Sequence, residues 1–185
     1  VQGCKVDIPL GHTDDDSSAQ DVVKGCDYHL AHGTTSIVPT ISAGAFQTMK
    51  DAVVNIHNAK GKTKGNILGA HLEGPYLSPK QAGAQCPVFI TPPKKADYES
   101  LIEEYGESIA RWTYAPENDE NGTFCKYLTE HNIIASAGHT DAVNADMVRA
   151  IENGCNLITH LYSCTSTVTR DHDFRSLGVI ESAYL

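Results

Sequence analysis

Asn66-Ile67-Leu68-Gly69-Ala70-His71-Leu72-Glu73-Gly74-Pro75 is the stretch from which the rest of the chain is read. Its apolar part, residues 66–70, is short and bounded by Gly65 and by Gly74-Pro75, the pattern of a buried strand that stops abruptly. Side chains alternate along a strand, so His71 and Glu73 point to one face together, at its C-terminal mouth. Two later strands end the same way: Ile133-Ile134-Ala135-Ser136-Ala137-Gly138 runs into His139, and Asn156-Leu157-Ile158-Thr159 runs into His160. A carboxylate and two imidazoles delivered by three strand ends are the ligand set of a metal hydrolase.

Strands and helices alternate on both sides of that stretch. Residues 5–10 read as a strand stopped by Pro9 and Gly11, and the polar run 12–18 offers N-cap residues for a helix over 18–31 that Gly33 closes. A β-branched strand over 34–40 follows, then a helix over 46–59 with the stripe Phe46, Met49, Val53, Ile56. Residues 74–95 are rich in Pro and Gly and lack periodicity, as in a lid or binding loop. Beyond them the spacing predicts helix 97–105, strand 109–115, helix 122–131, strand 133–137, helix 142–153 and strand 157–162. Such βα units require a parallel sheet with right-handed crossovers. Functional-looking residues at the ends of several strands, without a Gly-rich dinucleotide loop, favour a (β/α)8 TIM barrel over an open doubly wound sheet. A full barrel takes about 250 residues. The expectation is therefore one α/β domain over residues 1–185, an incomplete barrel of about six units.

Composition narrows the partners. A net charge of -9 and a pI near 5.4 leave no basic stripe for nucleic acid or a membrane surface, so an anionic substrate has to be held by a few local donors. The six cysteines form no CxxC pair and read as reduced thiols of a cytoplasmic protein. No apolar run reaches the length of a membrane span. The first residue, Val1, is not an initiator, which reads as a trimmed or processed start.

Three N/O ligands leave a coordination position open, the pattern of a catalytic rather than a structural ion, and bound water there is acidified toward a pKa of about 7. His71, two residues from Glu73, reads as a donor that orients the carboxylate rather than as a ligand. Asp141 reads as the N-cap of the following helix. Arg170, in the polar tail 165–173, is a guanidinium fork suited to phosphate or carboxylate.

Three segments, His71-Leu72-Glu73-Gly74-Pro75-Tyr76, Gly138-His139-Thr140-Asp141-Ala142 and Thr159-His160-Leu161-Tyr162, resemble in order and spacing the motifs of the N-acetylglucosamine-6-phosphate deacetylase family, amidohydrolases. The likeness runs from about residue 6 to residue 185. It implies a metal-dependent barrel that hydrolyses the acetamide of N-acetylglucosamine 6-phosphate, releasing acetate and glucosamine 6-phosphate. On the matching positions Glu73, His139 and His160 would hold one divalent ion, whether zinc, iron or manganese. Gln85 falls where the family often has a sugar-contacting His, and Ser163-Cys164 where it often has an Asn-Ala pair near the phosphate. Arg170 matches the family's phosphate-binding arginine, contributed across a homodimer.

The departures are equally specific. The superfamily's first-strand HxH pair would fall on Pro9 and Gly11, with His12 displaced by one. The family's general-base Asp and its small β-sandwich are expected outside the sequence, the Asp beyond Leu185, so the 185 residues alone are expected to be inactive or very slow. Two other readings are a metal-binding or assembly module without turnover, and a cyclic-amide hydrolase of the same superfamily. Relatives of that last kind usually bridge two metals with a modified lysine, where this strand ends in Glu73.

Overall fold

A computed structural model describes residues 16–185. The expected first strand, with Pro9, Gly11 and His12, lies outside the described residues. Strand β1 (Ser36–Ile37) and β2 (Thr40–Ser42) follow helix α1 (Asp16–Ala31), and β3 (Asn66–Ile67) and β4 (Ala70–Glu73) follow α2 (Phe46–Ala59). Next come α3 (Lys95–Tyr105), β5 (Ile109–Tyr114), α4 (Thr123–Glu130), β6 (Ile134–Ala137), α5 (Asn144–Glu152) and β7 (Leu157–Ile158). A hairpin, β8 (Thr169–Asp171) with β9 (Phe174–Ser176), and a short helix α6 (Val179–Ser182) end the chain.

The main sheet is parallel, in the order β2-β4-β5-β6-β7. Spatial order follows chain order without reversal, so the sheet is singly wound like a barrel wall and has no switch point of the kind a doubly wound fold requires. The pair β1-β3, with Ser36 opposite Asn66 and Ile37 opposite Ile67, continues the β2-β4 pair below a break in both strands. Pro39 lacks an N–H for the ladder on one side. Gly69 interrupts the other at φ 151°, where an added Cβ would stand 2.8 Å from the Ala110 nitrogen. The stretch 66–70 is thus not uniformly buried: Ile67 and Ala70 lie in the core, while Leu68 between them is 52% exposed.

Period-2 alternation separates two chemistries across this sheet. Ala70, Leu72, Trp112, Tyr114, Ala135 and Ala137 are buried in the apolar layer shared with the helices. Their alternates His71, Glu73, Arg111, Thr113 and Ser136 form the opposite, polar face. Met49, Val53 and Ile56 from α2, Leu101 and Ile102 from α3, Phe124 and Leu128 from α4, and Met147 and Ala150 from α5 close the apolar layer. At its centre Tyr76 stacks on Trp112 with centroids 5.6 Å apart, and Phe124 meets both rings edge-on at 5.1 and 5.3 Å. Offset and edge-to-face pairs of this kind add to the area buried. Trp112 Nε1–H donates to the Gly74 carbonyl at 2.9 Å, which ties the loop after β4 to the core.

Helix α4 starts on a side chain from upstream. The buried Asp119 carboxylate accepts the N–H groups of Phe124 and Cys125 at 3.1 and 3.0 Å. Two donors of the first turn are satisfied and the charge complements the helix dipole. Asp119→Ala is expected to cost about 1–2 kcal/mol, read as a lower urea midpoint at unchanged slope. A midpoint within error of the parent would remove Asp119 from the cap.

Candidate metal centre

Each of the three strand ends delivers its residue by a different local device. Glu73 is the last residue of β4. His139 follows β6 by two residues and adopts φ 47°, and His160 follows β7 by two and adopts φ 36°. Both histidines are therefore turned out of the strand direction by left-handed backbone, a conformation uncommon for residues with a Cβ and concentrated at functional sites. The predicted strand 157–162 is accordingly corrected to two residues, because the backbone leaves the extended region at His160 and Tyr162 has φ 76°.

Neither imidazole is free to turn. His139 Nδ1–H donates to the Gln81 carbonyl at 2.9 Å, and His160 Nδ1–H donates to the Ser163 carbonyl at 2.8 Å. A carbonyl only accepts, so Nδ1 carries the proton on both rings and the neutral rings present bare Nε2 lone pairs. Those Nε2 atoms lie 2.7 Å (His139) and 3.1 Å (His160) from the same oxygen, Glu73 Oε1, and 3.2 Å from each other. Three acceptor atoms this close require a positive charge among them, either a proton or a metal ion.

Without an ion the proton takes the place. Burial alone would raise the Glu73 pKa, but hydrogen bonds from His139 and His160 hold it down at about 2. Burial opposes charge on His139, yet its hydrogen bonds to Glu73 and Gln81 raise its pKa above the ordinary imidazole value. The donor set also suits an ion. A tetrahedral metal with bonds of about 2.0–2.1 Å places its ligand atoms about 3.3 Å apart, close to the three separations here. The three ligand atoms all lie within 4.8 Å of one another, and this is the one such group of His, Cys, Asp or Glu side chains among the described residues.

No family model matches the chain. Individual relatives do. The N-acetylglucosamine-6-phosphate deacetylase of Bacillus subtilis is 37% identical over 156 residues, covering 82% of this chain and 38% of the relative. That of Haemophilus influenzae is 30% identical over 155 residues, covering 82% and 39%. The chain is similar to N-acetylglucosamine-6-phosphate deacetylases over about four fifths of its own length. Solved structures of the family agree: the Pasteurella multocida enzyme superposes with a TM-score of 0.73 at 30% identity, covering 82% of this chain and 38% of that one. The Mycobacterium smegmatis enzyme superposes at 0.78 with 26% identity, covering 91% and 42%, and a mutant of it is solved with N-acetyl-D-glucosamine-6-phosphate. The chain thus spans about two fifths of the length of the family members it matches.

Other residues singled out from the sequence take varied places in this chain. His71 does not orient Glu73: its Nε2 is 2.7 Å from Thr113 Oγ1, while its Nδ1 is 2.9 Å from Arg111 Nη2 and 3.0 Å from Thr40 Oγ1. Burial first, and then the Arg111 charge, push its pKa down to about 3, so it is neutral. Asp141 is not the cap of α5 either. It accepts from Lys80 Nζ at 2.9 Å and Gln81 Nε2 at 3.2 Å, while Asp146 accepts the Val143 N–H at the helix start.

The loop 74–95 is consequently fastened to the His139 turn, with Ser78 N–H donating to the His139 carbonyl at 2.8 Å. Gln85 is buried, and its Oε1 accepts the Ala43 N–H at 2.8 Å. Ser163 lends its carbonyl to His160, and the Cys164 carbonyl accepts the Thr140 N–H at 3.1 Å. The Cys164 thiol occupies the space beside the His139 ring that a side chain at Gly83 would need. Arg170 lies exposed on the β8-β9 hairpin, the form taken here by the polar tail read from the sequence.

Sequence reasoning passed over Glu117. Its carboxylate accepts the Thr140 hydroxyl and, at 2.7 Å, the Asp141 N–H, and so braces the turn that carries His139. The available signal was position: Ala115-Pro116-Glu117 follows a buried strand, as Glu73 ends one.

Proposed function

We propose that this chain carries the metal-holding part of an enzyme that deacetylates N-acetylglucosamine 6-phosphate to glucosamine 6-phosphate and acetate. The observation that carries the reading is the convergence of Glu73 Oε1 with two Nε2 atoms whose rings are locked by carbonyls. Glu73, His139 and His160 would hold one divalent ion, and their mixed O/N set suits zinc, iron or manganese. Such an ion, when bound, acidifies water at its open position and polarises the acetyl carbonyl. Gln81 and Ser163 keep both rings in the tautomer that offers Nε2, and burial of His139 limits competing water.

Substrate contacts extend the same reading. With Oε1 fixed by Ala43, Gln85 retains an amide donor for a sugar hydroxyl. Ser163 and Cys164 would flank the phosphate, and Arg170 would reach it in a homodimer from the hairpin of the other subunit. In the natural full-length protein, Arg170→Ala is then expected to raise KM for the phosphorylated sugar about tenfold or more, while leaving turnover of unphosphorylated N-acetylglucosamine unchanged. Equal losses on both substrates would return Arg170 to the solvated surface.

The test of the function is acetate release from N-acetylglucosamine 6-phosphate by the full-length protein, before and after chelation and zinc restoration. Release that chelation stops and zinc restores is expected. Stoichiometric metal with no release would favour a binding module, and absence of metal would overturn the centre.

A further inference from the structure

One layer below the three strand-end residues, the polar face of the sheet is crossed by a continuous line of side chains. Arg111 Nη2 is 2.9 Å from His71 Nδ1, His71 Nε2 is 2.7 Å from Thr113 Oγ1, and Thr113 Oγ1 is 2.7 Å from Thr159 Oγ1. Thr159 Oγ1 is in turn 2.7 Å from Ser136 Oγ. We infer that this line is a one-way hydrogen-bond relay, polarised by Arg111, that positions the three strand ends carrying Glu73, His139 and His160.

The direction follows from the donor inventory. A guanidinium can only donate, so His71 Nδ1 accepts and the ring proton sits on Nε2. Nε2–H then donates to Thr113, whose single hydroxyl proton goes on to Thr159, and that of Thr159 to Ser136. The Thr40 hydroxyl, 3.0 Å from His71 Nδ1, adds a second donor at the same acceptor and reinforces the tautomer. His71, Thr113, Thr159 and Ser136 are all buried, so each reversed link would leave a polar group unpaired out of reach of water. Arg111 keeps its Nε buried without a hydrogen-bond partner, a cost that a purely apolar layer would avoid.

The relay joins the strands where their own ladders are weakest. Strand β7 pairs with β6 through only two residues, Leu157 and Ile158, before the chain turns at His160. Thr159, next to His160, is held by hydroxyl contacts to both β5 and β6. Both threonines pack against Gly138, the residue before His139, where an added Cβ would stand 2.8 Å from Thr113 Cγ2 and from Thr159 Cβ. His71, Thr113, Thr159 and Ser136 are thus positioning residues that set the mutual spacing of β4, β5, β6 and β7.

The metal half of this inference rests on the metal-centre reading, whereas the tautomer half does not, and the experiment separates them. Nitrogen-15 NMR of the metal-free protein is expected to show His71 as the Nε2–H tautomer, and Arg111→Met to lose that single tautomer. Zinc affinity, measured by chelator competition, is expected to fall about 10- to 100-fold in Thr113→Val and Thr159→Val, with Thr→Ser at either position restoring most of it. An Nδ1–H tautomer in the wild-type protein would overturn the relay whatever the metal result. So would zinc affinity of folded Val variants within twofold of wild type, a result that leaves their hydroxyls a role in stability alone. Wild-type protein that binds no zinc would overturn the metal centre and the positioning claim together, with the tautomer still deciding the relay.

Discussion

Glu73→Gln is expected to lower divalent-metal affinity by at least about 100-fold, beyond the 10- to 100-fold range of outer-shell losses. The amide has nearly the shape of the carboxylate, so the strand end stays in place while the one anionic donor is lost. Glu73 Oε1 is also the atom that both Nε2 nitrogens face, at 2.7 and 3.1 Å, so its charge offsets the closeness of the two rings. His139→Ala and His160→Ala are expected to match it, each removing one locked Nε2. The measurement is zinc competition against a chromophoric chelator, with circular dichroism to show that the variant is folded. Retained affinity in folded Glu73→Gln would mean that the ion, if any, is held elsewhere.

How much of this could be read from the sequence depends on whether a feature is local. Helix α2 was legible to the residue, because the stripe Phe46, Met49, Val53, Ile56 is flanked by breakers on both sides. The three strand-end residues were legible because each ends a short apolar run, and barrel topology sends such ends to one face. Strand β7 was read too long, since Thr159-His160-Leu161-Tyr162 has strand-like composition while its left-handed residues come from tertiary packing. Asp141 carried the local signature of an N-cap, yet Lys80 and Gln81, some 60 positions away, claim it. The hairpin β8-β9 was hidden by its polarity, although His172, with φ 53° at its turn, sits between Asp171 and Asp173.

The Arg111-His71 contact was illegible for a sharper reason. It depends on register, with His71 opposite Arg111 and Glu73 opposite Thr113, and no residue pattern within either strand encodes that alignment. A sequence reader sees an imidazole two positions from a carboxylate and links them. The structure instead spends that imidazole across the sheet, on the neighbouring strand.

Acid and base should move the metal-free and metal-loaded proteins in opposite directions. In the metal-free protein His139 has a pKa raised above 6.5: burial, the largest single effect, lowers it, and the hydrogen bonds to Glu73 and Gln81 together with the Glu73 charge outweigh that. A raised imidazole pKa contributes stability that is complete below the unfolded value of about 6.5 and is lost as pH rises through the folded value. Glu73, held down at about 2 from 4.5, contributes stability present above the unfolded value and lost as pH falls through the folded one. Stability of the metal-free protein from this pair is therefore greatest between about pH 4.5 and 6.5 and declines on the alkaline side. Metal binding needs the Nε2 proton gone from His139, so below the raised pKa the zinc dissociation constant should increase about tenfold per pH unit fall. The thermal shift produced by saturating zinc should accordingly be small at pH 6 and grow toward pH 8, while the metal-free melting temperature falls over the same interval. Melting temperatures with and without zinc that run parallel across this range would show that His139 holds no proton for the ion to displace, and would overturn its raised pKa.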